Sequence, residues 1–426
     1  MKIVGIIAEY NPFHNGHLYQ INYAKEVLKA DAVVVVMSGN FVQRGEPAIF
    51  DKYVRADMAL KNGADLVIEM PTVGACASAE IFASFGIYTL IQLGIITDVI
   101  FGCEDESLPL FKGVGQLLID EPKAFKDTLA AELRDGKPFA KARANALVSA
   151  WKNEEEKVVL SHFLSNPNNI LGIEYTKAIL QANSNINIVP LGRVGASHDD
   201  LKFSGTYASA TYLRSTLLGE GASEYDVFSF VPTNCLDLIT NAMKENTLIS
   251  PDDCSILLHD ALYKTNDYSE ILDCTKELSN RILNERDNYI SFSSFCDVLK
   301  TKNTNHSRIR RVLTHLYLNI KENALNAIKE ENYAPYFHIL GFTKRGSGLL
   351  SDIKKNSHST PIFTSPNEVT LELNENQQIL FDIDLNAANV YRMLLINKSK
   401  MSHPTEFTRK FVPHENVDFL NLFNDN

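Results

Sequence analysis

The sequence predicts an α/β protein: a parallel sheet within residues 1–220, a mostly α-helical region over 221–395, and a polar tail over 396–426. Three observations carry this reading. Short, continuously apolar runs recur along the first half, a segment of helical spacing follows nearly every run, and glycine or a small polar residue closes most of them. Lys2 to Ala8 is the first run, and Gly16 to Ala30 has helical spacing. Ala32 to Met37 is a second buried strand. Asp51 to Asn62 reads as a helix with Asp51 as N-cap and Gly63 as its stop. Leu66 to Glu69 is a short strand closed by Pro71, Ser78 to Leu93 a largely apolar helix ending at Gly94, and Asp98 to Phe101 a fourth strand ending at Gly102. A helical insert over Leu108 to Leu164 precedes a helix from Asn169 to Gln181, a fifth strand at Asn187 to Leu191, a turn from Arg193 to Tyr207 and a helix opening at Ser209. Strands joined by crossover helices form parallel sheets, which gather ligands at the strands' carboxyl ends. His14, Ser38, Gly39 and Gly102 fall at such ends. Beyond Glu220 helical periodicity dominates, and only Tyr336 to Thr364 offers one or two further strands.

Composition bounds the class. The chain has 426 residues, 45% hydrophobic and 22% charged, which is ordinary globular protein with enough length for two or three domains. No apolar stretch reaches the length of a membrane span and the N-terminus enters a strand directly, so a cytoplasmic protein without membrane contact is expected. The six cysteines form no C-x-x-C pair, which argues for reduced thiols. A net charge of −11 works against nucleic-acid binding, so any RNA role must rest on a local basic patch.

The first strand leads into Asn11-Pro12-Phe13-His14-Asn15-Gly16-His17, a His-x-Gly-His at a strand-to-helix turn. There, backbone N–H groups and two imidazoles can converge on a polyphosphate. A second segment, Ala208-Ser209-Ala210-Thr211-Tyr212-Leu213-Arg214, resembles the I-S-S-T-x-I-R that accompanies His-x-Gly-His in nucleotidyltransferases, with Ala210 in place of the second serine. Its hydroxyls and Arg214 suit phosphate oxygens, although Ser209 and Thr211 serve equally as helix caps. The aperiodic loop Met37 to Ile49 offers Gln43 and Arg44, with Arg55 beyond it, as substrate-lining residues or as plain surface charges. Gly102 allows close backbone approach to an adenine or ribose, or simply a tight turn. Asn169 either caps its helix or bonds the adenine, and Arg193 leaves a strand end toward nucleotide phosphate. His198, Asp199 and Asp200 form a weak metal or acid/base constellation. No side-chain metal set is expected.

Two basic clusters, Lys300, Lys302, Arg308, Arg310 and Arg311, then Lys344, Arg345, Lys354 and Lys355, lie in the C-terminal half, the second near Tyr336, Phe337 and Phe342. Cations interleaved with rings suit a folded RNA; a solvated helix face over core aromatics is the alternative. Lys300, Arg308, Arg310, Arg311, Lys344 and Arg345 are the RNA-binding candidates.

G-I-I-A-E-Y-N-P-F-H-N-G-H-L, M-S-G-N-F-V-Q-R-G-E-P-A, D-K-Y-V-R-A, K-N-G-A-D-L-V-I-E-M-P and P-N-N-I-L-G-I-E-Y resemble the tRNA(Met) cytidine acetate ligase family across about the first 215 residues. S-R-I-R-R-V-L-T-H-L, H-I-L-G-F and L-F-D-I-D-L-N-A-A-N-V-Y extend the likeness more loosely. The resemblance implies a Rossmann-like nucleotidyltransferase core that makes acetyl-adenylate from ATP and acetate, then acetylates N4 of the wobble cytidine of elongator tRNA(Met). It implies ATP contacts from Ile7, Ala8, Glu9, Asn11, Pro12, Phe13, His14, Gly16, His17, Gln20, Gly102, Asn169 and Arg193, to which the second motif adds Ser209, Thr211 and Arg214. Cys103 stands where the family has Ser, and Ser197 where it has Tyr.

Acetate is ionised near neutral pH, so its attack on the α-phosphorus needs positioning and charge neutralisation rather than a base. His14 and His17 are the expected catalytic pair, aided by Arg193 and Arg214, with Mg²⁺ accompanying the leaving pyrophosphate. The second step needs a base for cytidine N4, for which Glu9, His198 and Asp199 are open choices. Two other readings use the same residues: a small-molecule adenylyltransferase and a catalytically silent RNA-binding protein.

Overall fold

The computed structural model describes residues 1–193, 203–204, 207–219, 223–302, 304–357, 360–369 and 372–410. Strands β1 (Ile3–Ala8), β2 (Ala32–Ser38), a small β3–β4 ribbon (Phe41–Val42 and Glu46–Pro47), β5 (Leu66–Met70), β6 (Asp98–Cys103) and β7 (Asn187–Gly192) arise in turn. A second ribbon, β8–β9 (Phe203–Ser204 and Tyr207–Ala208), precedes the late strands β10 (Phe337–Phe342) and β11 (Ile362–Phe363). Seven of these form one sheet in the order β11-β10-β5-β2-β1-β6-β7. The central strands are apolar on both faces because both are covered: Val34 and Val36 of β2 pack in one core, Val33, Val35 and Met37 in the other.

The crossovers follow local signals. Helix α1 (Asn15–Asn22) passes into a π-helical stretch, Tyr23–Val27, so the helix expected to Ala30 is shorter and ends with Lys29 at φ 57°. In α2 (Lys52–Lys61) the Asp51 carboxylate accepts the Tyr53 N–H at 2.8 Å, and Gly63 ends the turn at φ 106°. After the short α3 (Thr72–Ala75), α4 (Ala79–Gln92) is capped by Ser78. The expected insert is α5 (Leu108–Asp120), α6 (Lys123–Arg134), α7 (Phe139–Ala150) and α8 (Lys157–Phe163). Its first helix lies along the crossover helix α9 (Pro167–Gln181), touching at Gly115.

The C-terminal half is mostly helical with two strands inside 336–364, as expected, and those strands join it to the first sheet. Helices α10 (Ala210–Leu217), α11 (Leu236–Lys244), α12 (Ser255–Lys264), α13 (Lys276–Glu285), α14 (Phe292–Leu299) and α15 (His306–Leu318) come first. Leu258, Leu262, Phe292, Phe295, Val312 and Leu313 give the α12–α15 group a core of its own. Past α16 (Asn323–Glu330), however, β10 pairs antiparallel with β5, Ile339 opposite Ile68 and Phe342 opposite Leu66. After α17 (Lys344–Asn356), the long α18 (Glu375–Ser399) shares the sheet's core through Leu380, Phe381 and Tyr391. Residue 220 is therefore not a boundary between two cores: the later chain completes the first sheet. The tail expected from 396 is also corrected, since α18 runs to Ser399 and Glu406 turns back to pair with Lys52 at 3.0 Å.

Two buried polar clusters lock this arrangement. Arg55 is fully buried and donates to the carbonyls of Phe50, Glu9, Ser38 and Gly39, which joins the ends of β1 and β2 to the following loop. It is a structural tie rather than the substrate-lining cation its loop position suggested. Beneath it, Lys52 donates to both oxygens of Glu69 at 2.9 and 2.8 Å, and His338 of β10 pairs with the same carboxylate at 2.6 Å.

Removing Arg55 strands four carbonyls, so Arg55→Met should cost about 3 kcal/mol or more, read as a lowered urea midpoint. Although burial pushes the Glu69 carboxyl up, Lys52 and His338 hold it down at about 2. Stability from this depressed group is present above the ordinary carboxyl range and is lost as pH falls toward 2. Lys52→Met should therefore move the acid-unfolding midpoint to higher pH, measured by circular dichroism.

Candidate nucleotide site

At the carboxyl end of β1 the chain turns through Tyr10, at φ 48°, and the cis Asn11–Pro12 bond into α1. His14 is the N-cap of that helix: its Nδ1 accepts the Gly16 N–H at 3.0 Å, while His17 Nδ1 accepts the His14 N–H at 3.2 Å. The imidazoles thus build the reciprocal cap usually made by Ser and Glu. They stack with centroids 3.7 Å apart and an interplanar angle of 19°. An Nδ1 that accepts a backbone N–H leaves the ring proton of a neutral imidazole on Nε2, so the pair presents two Nε2–H donors. Burial, then the facing His14 and Arg193, holds the His17 pKa well below its ordinary value. His17 therefore works uncharged. Gly16 makes room for the cap, because a Cβ there would lie 2.9 Å from His14 Cε1.

Three other chain segments converge here. Arg193 leaves β7 with its N–H on the Cys103 carbonyl, and its side chain crosses Gly102, where a Cβ would sit 3.5 Å from Arg193 Cγ. Ser209 caps α10 by accepting the Tyr212 N–H at 3.0 Å. Arg214, one turn on, donates to the Asn11 carbonyl at 2.8 Å and to Thr211 Oγ1 at 3.4 Å, tying the second motif to the first. Glu9 accepts the Gln43 N–H at 3.0 Å, and burial raises its carboxyl pKa even though that hydrogen bond, Arg214 and Arg44 lower it.

At several of the expected ATP-contacting positions the side chain is turned into the protein, which leaves the backbone to face a ligand. Phe13 is fully enclosed beside Tyr10, and Ile7 faces Gly86 of α4 so closely that a Cβ there would lie 2.5 Å from it. At these positions, and at buried Ala8 and Pro12, only the backbone end of the strand is on offer. Asn11 Oδ1 accepts the Ile49 N–H at 2.8 Å. Gln20 donates to the Ile100 carbonyl at 3.0 Å, which pins α1 to β6. Asn169 is fully buried, accepts the N–H groups of Glu104 and Asp105 and donates to the Phe163 carbonyl. It sets the loop after β6, and the helix cap position is Asn166 instead. Ser197, His198, Asp199 and Asp200 lie outside the described residues.

The basic candidates do not form one patch. Arg308 and Arg311 pair with Asp273 at 3.1 and 3.4 Å, Arg310 pairs with Glu46, and Lys300 is exposed. Lys344 and Arg345 are exposed on α17, where Arg345 donates to the Asp31 carbonyl just before β2, at the amino end of the parallel strands. That end is opposite the His14 turn. Tyr336, Phe337 and Phe342 are core residues and cannot stack on bases. Glu46 and Asn40, which accepts the Lys52 N–H at 2.8 Å, escaped sequence reasoning: an aperiodic loop gives no period by which to rank its polar residues.

Among the described residues no helix is long and apolar enough to cross a membrane, and no group of three or more His, Cys, Asp or Glu gathers for a metal. The six cysteines are buried free thiols. The sheet and its His-x-Gly-His turn are those of a HIGH Nucleotidyl Transferase, the family whose model matches residues 1–406. Within that class the chain belongs to the tRNA(Met) cytidine acetate ligase family. Relatives of that name are 36% identical in Thermosipho melanesiensis, over 98% of this chain and 100% of theirs, and 37% identical in Caldanaerobacter subterraneus subsp. tengcongensis, over 95% and 99%. The crystal structure of apo Thermotoga maritima TmcAL superposes with a TM-score of 0.84 at 32% identity, covering 94% of this chain and 96% of that one. The same protein bound with alpha-thio ATP gives 0.83 at the same identity and coverage.

Because His17 is held neutral, its Cε1–H resonance should show no protonation step as pH is lowered from 8 to about 6, where an unperturbed histidine is already titrating. Gly16→Ala pushes His14 out of the cap without touching the core. It should weaken ATP-dependent turnover about a hundredfold while lowering stability only by the roughly 1 kcal/mol of one lost helix cap, read as a small drop in melting temperature.

Proposed function

We propose that this chain is an ATP-dependent ligase that converts acetate to acetyl-adenylate and transfers the acetyl group to the wobble cytidine of elongator tRNA(Met), giving N4-acetylcytidine. One observation carries the reading: two stacked imidazoles at the carboxyl end of β1, each with Nδ1 occupied by a backbone N–H, leave their Nε2–H donors for a ligand, with Arg193 near His17 and Arg214 bonded to the same turn. Family membership supports it, as does the alpha-thio ATP held by the Thermotoga maritima structure.

A carboxylate is already a nucleophile at neutral pH, so the first step asks for donors on the α-phosphate as the oxygen of acetate bonds to phosphorus and pyrophosphate departs. His14 and His17 supply those donors, and neutral rings can do so without losing a proton. Arg193 and Arg214 balance the charge of the phosphate chain. A Mg²⁺ accompanying ATP would supply charge neutralisation for the departing pyrophosphate, held by the triphosphate itself since the described residues gather no His, Cys, Asp or Glu set for a metal. Thr211 accepts from Arg214, Ser209 caps the helix that carries both, and the backbone from Ile7 to Asn11 forms the floor.

The second step needs a base, because the N4 lone pair of cytosine is delocalised into the ring. Glu9 is the described residue that fits. Its burial keeps the carboxyl more basic than an ordinary one, and it stands where β1 ends. The exposed Lys300 and the half-buried Arg308, Arg310 and Arg311, each of these three already ion-paired, contact the RNA; Lys344 and Arg345 contact a more distant part of the tRNA.

Two assays separate this reading from its rivals. Acetate should drive ATP–pyrophosphate exchange, and His14→Ala should reduce it by at least about a thousandfold. Unmodified tRNA(Met) with ATP and labelled acetate should become labelled. Exchange driven by a phosphate monoester instead of acetate would indicate a small-molecule adenylyltransferase, and no exchange with either would indicate a silent scaffold.

A further inference from the structure

A cavity of about 390 Å³ opens between the loop after β2, α10 and α15, and its lining residue Arg214 reaches the Asn11 carbonyl of the His14 turn. Its size falls within the roughly 300–1,000 Å³ of small-ligand sites. Arg44, Glu46, Arg214, Leu218, Ser307 and Arg310 line it. The walls are locked to each other. Thr314 of α15 donates to the Gly45 carbonyl at 3.0 Å, and Gly45, at φ 76°, lies so close to the Arg311 backbone that no Cβ would fit. Glu46 is 5% exposed and ion-paired to Arg310, and Arg214 lies 3.6 Å from its other oxygen.

A carboxylate fixed beside a guanidinium presents an acceptor next to donors. This is the complement of the Watson–Crick edge of cytosine, where the N4 amine donates and N3 and O2 accept. Uracil reverses the pattern at positions 3 and 4 and would set its O4 against the carboxylate. Both groups have capacity to spare. A carboxylate has about four lone-pair sites, and Arg310 uses one guanidinium N–H on Glu46 while its side chain is 22% exposed, so its terminal nitrogens keep donors for a ligand. Leu218 gives the base an apolar wall, and Arg44 gives its phosphate a cation.

We propose that this cavity receives the cytosine of the acceptor nucleotide, unstacked from its neighbours, and that Glu46 and Arg310 read its edge, Glu46 through N4 and Arg310 through N3 and O2. The inference rests on the ligase reading above and adds the residues that choose the base. Enzymes that modify a base commonly take it out of the stack and recognise it by that edge. The pocket is joined to the phosphate site through Arg214, which bonds both the turn before His14 and Thr211. An amine held by Glu46 is thus presented to the place where the acyl group is made.

The test uses the full chain with cytidine 5′-monophosphate and uridine 5′-monophosphate as probes, titrated calorimetrically. Cytidine monophosphate should bind at least about tenfold more tightly than the uridine analogue, the discrimination of one good base contact. Glu46→Gln should bring the two to near equality. Ser307→Trp, which fills the cavity from α15, should abolish cytidine monophosphate binding and tRNA acetylation while acetate-driven ATP–pyrophosphate exchange continues. Equal binding of the two nucleotides by the unmodified chain, or displacement of cytidine monophosphate by acetate alone, would overturn the proposal. So would normal tRNA acetylation by Ser307→Trp. Absence of exchange in the unmodified chain would instead remove the ligase reading, and the cytidine-to-uridine ratio would still report on the pocket.

Discussion

The buried guanidinium of Arg55 is the constraint on which the site's geometry depends. Two adjacent parallel strands, β1 and β2, end at the same level, and the carbonyls that follow them point into the protein interior. Arg55 meets Glu9, Ser38 and Gly39 there and also holds Phe50 at the far end of the following loop. A lysine could not serve, because one ammonium cannot span acceptors set so far apart in a plane. With this fork in place, the Glu9 carboxylate and the loop after β2 are fixed relative to the His14 turn. Catalysis by positioning requires that fixity, since donors must already stand where charge will develop.

The imidazole pair shows how a polar site is made from local rules. The same residues that would bind phosphate satisfy the first N–H groups of α1, so the helix terminus and the ligand site are one structure. Each ring is oriented by the hydrogen bond its Nδ1 accepts, and the stacking distance disfavours two charges side by side. The cost of burying polar atoms is offset within one turn of helix. Arg214 extends the arrangement across 203 residues of sequence by bonding the Asn11 carbonyl.

Much of this was legible in the residues. The strands announce themselves because a parallel sheet covered on both faces must be apolar throughout, and caps such as Asp51 and Ser78 mark helix starts by their own chemistry. The His14 turn and the Ser209 segment were legible for the same reason. Pairing across long distances was not. Nothing in Phe337–Phe342 says that its partner is β5 rather than a neighbour, since register is set by contacts made only after collapse. Arg55 looks like a ligand contact by position, and only three-dimensional burial reveals that its guanidinium is spent on backbone carbonyls. Glu46 was invisible for the opposite reason: its importance comes from Arg310, 264 residues later.

The antiparallel seating of β10 on β5 has a bearing on how the polypeptide emerges from the ribosome. Until residue 342 has been made, β5 is an open border whose unpaired N–H and C=O groups can template association with other chains. The loop after β2 likewise waits for α15 to hold it. A nascent chain with all its phosphate-facing residues already synthesised is therefore unfinished and adhesive, and productive maturation must shield that border through the intervening helices before the last strands close it.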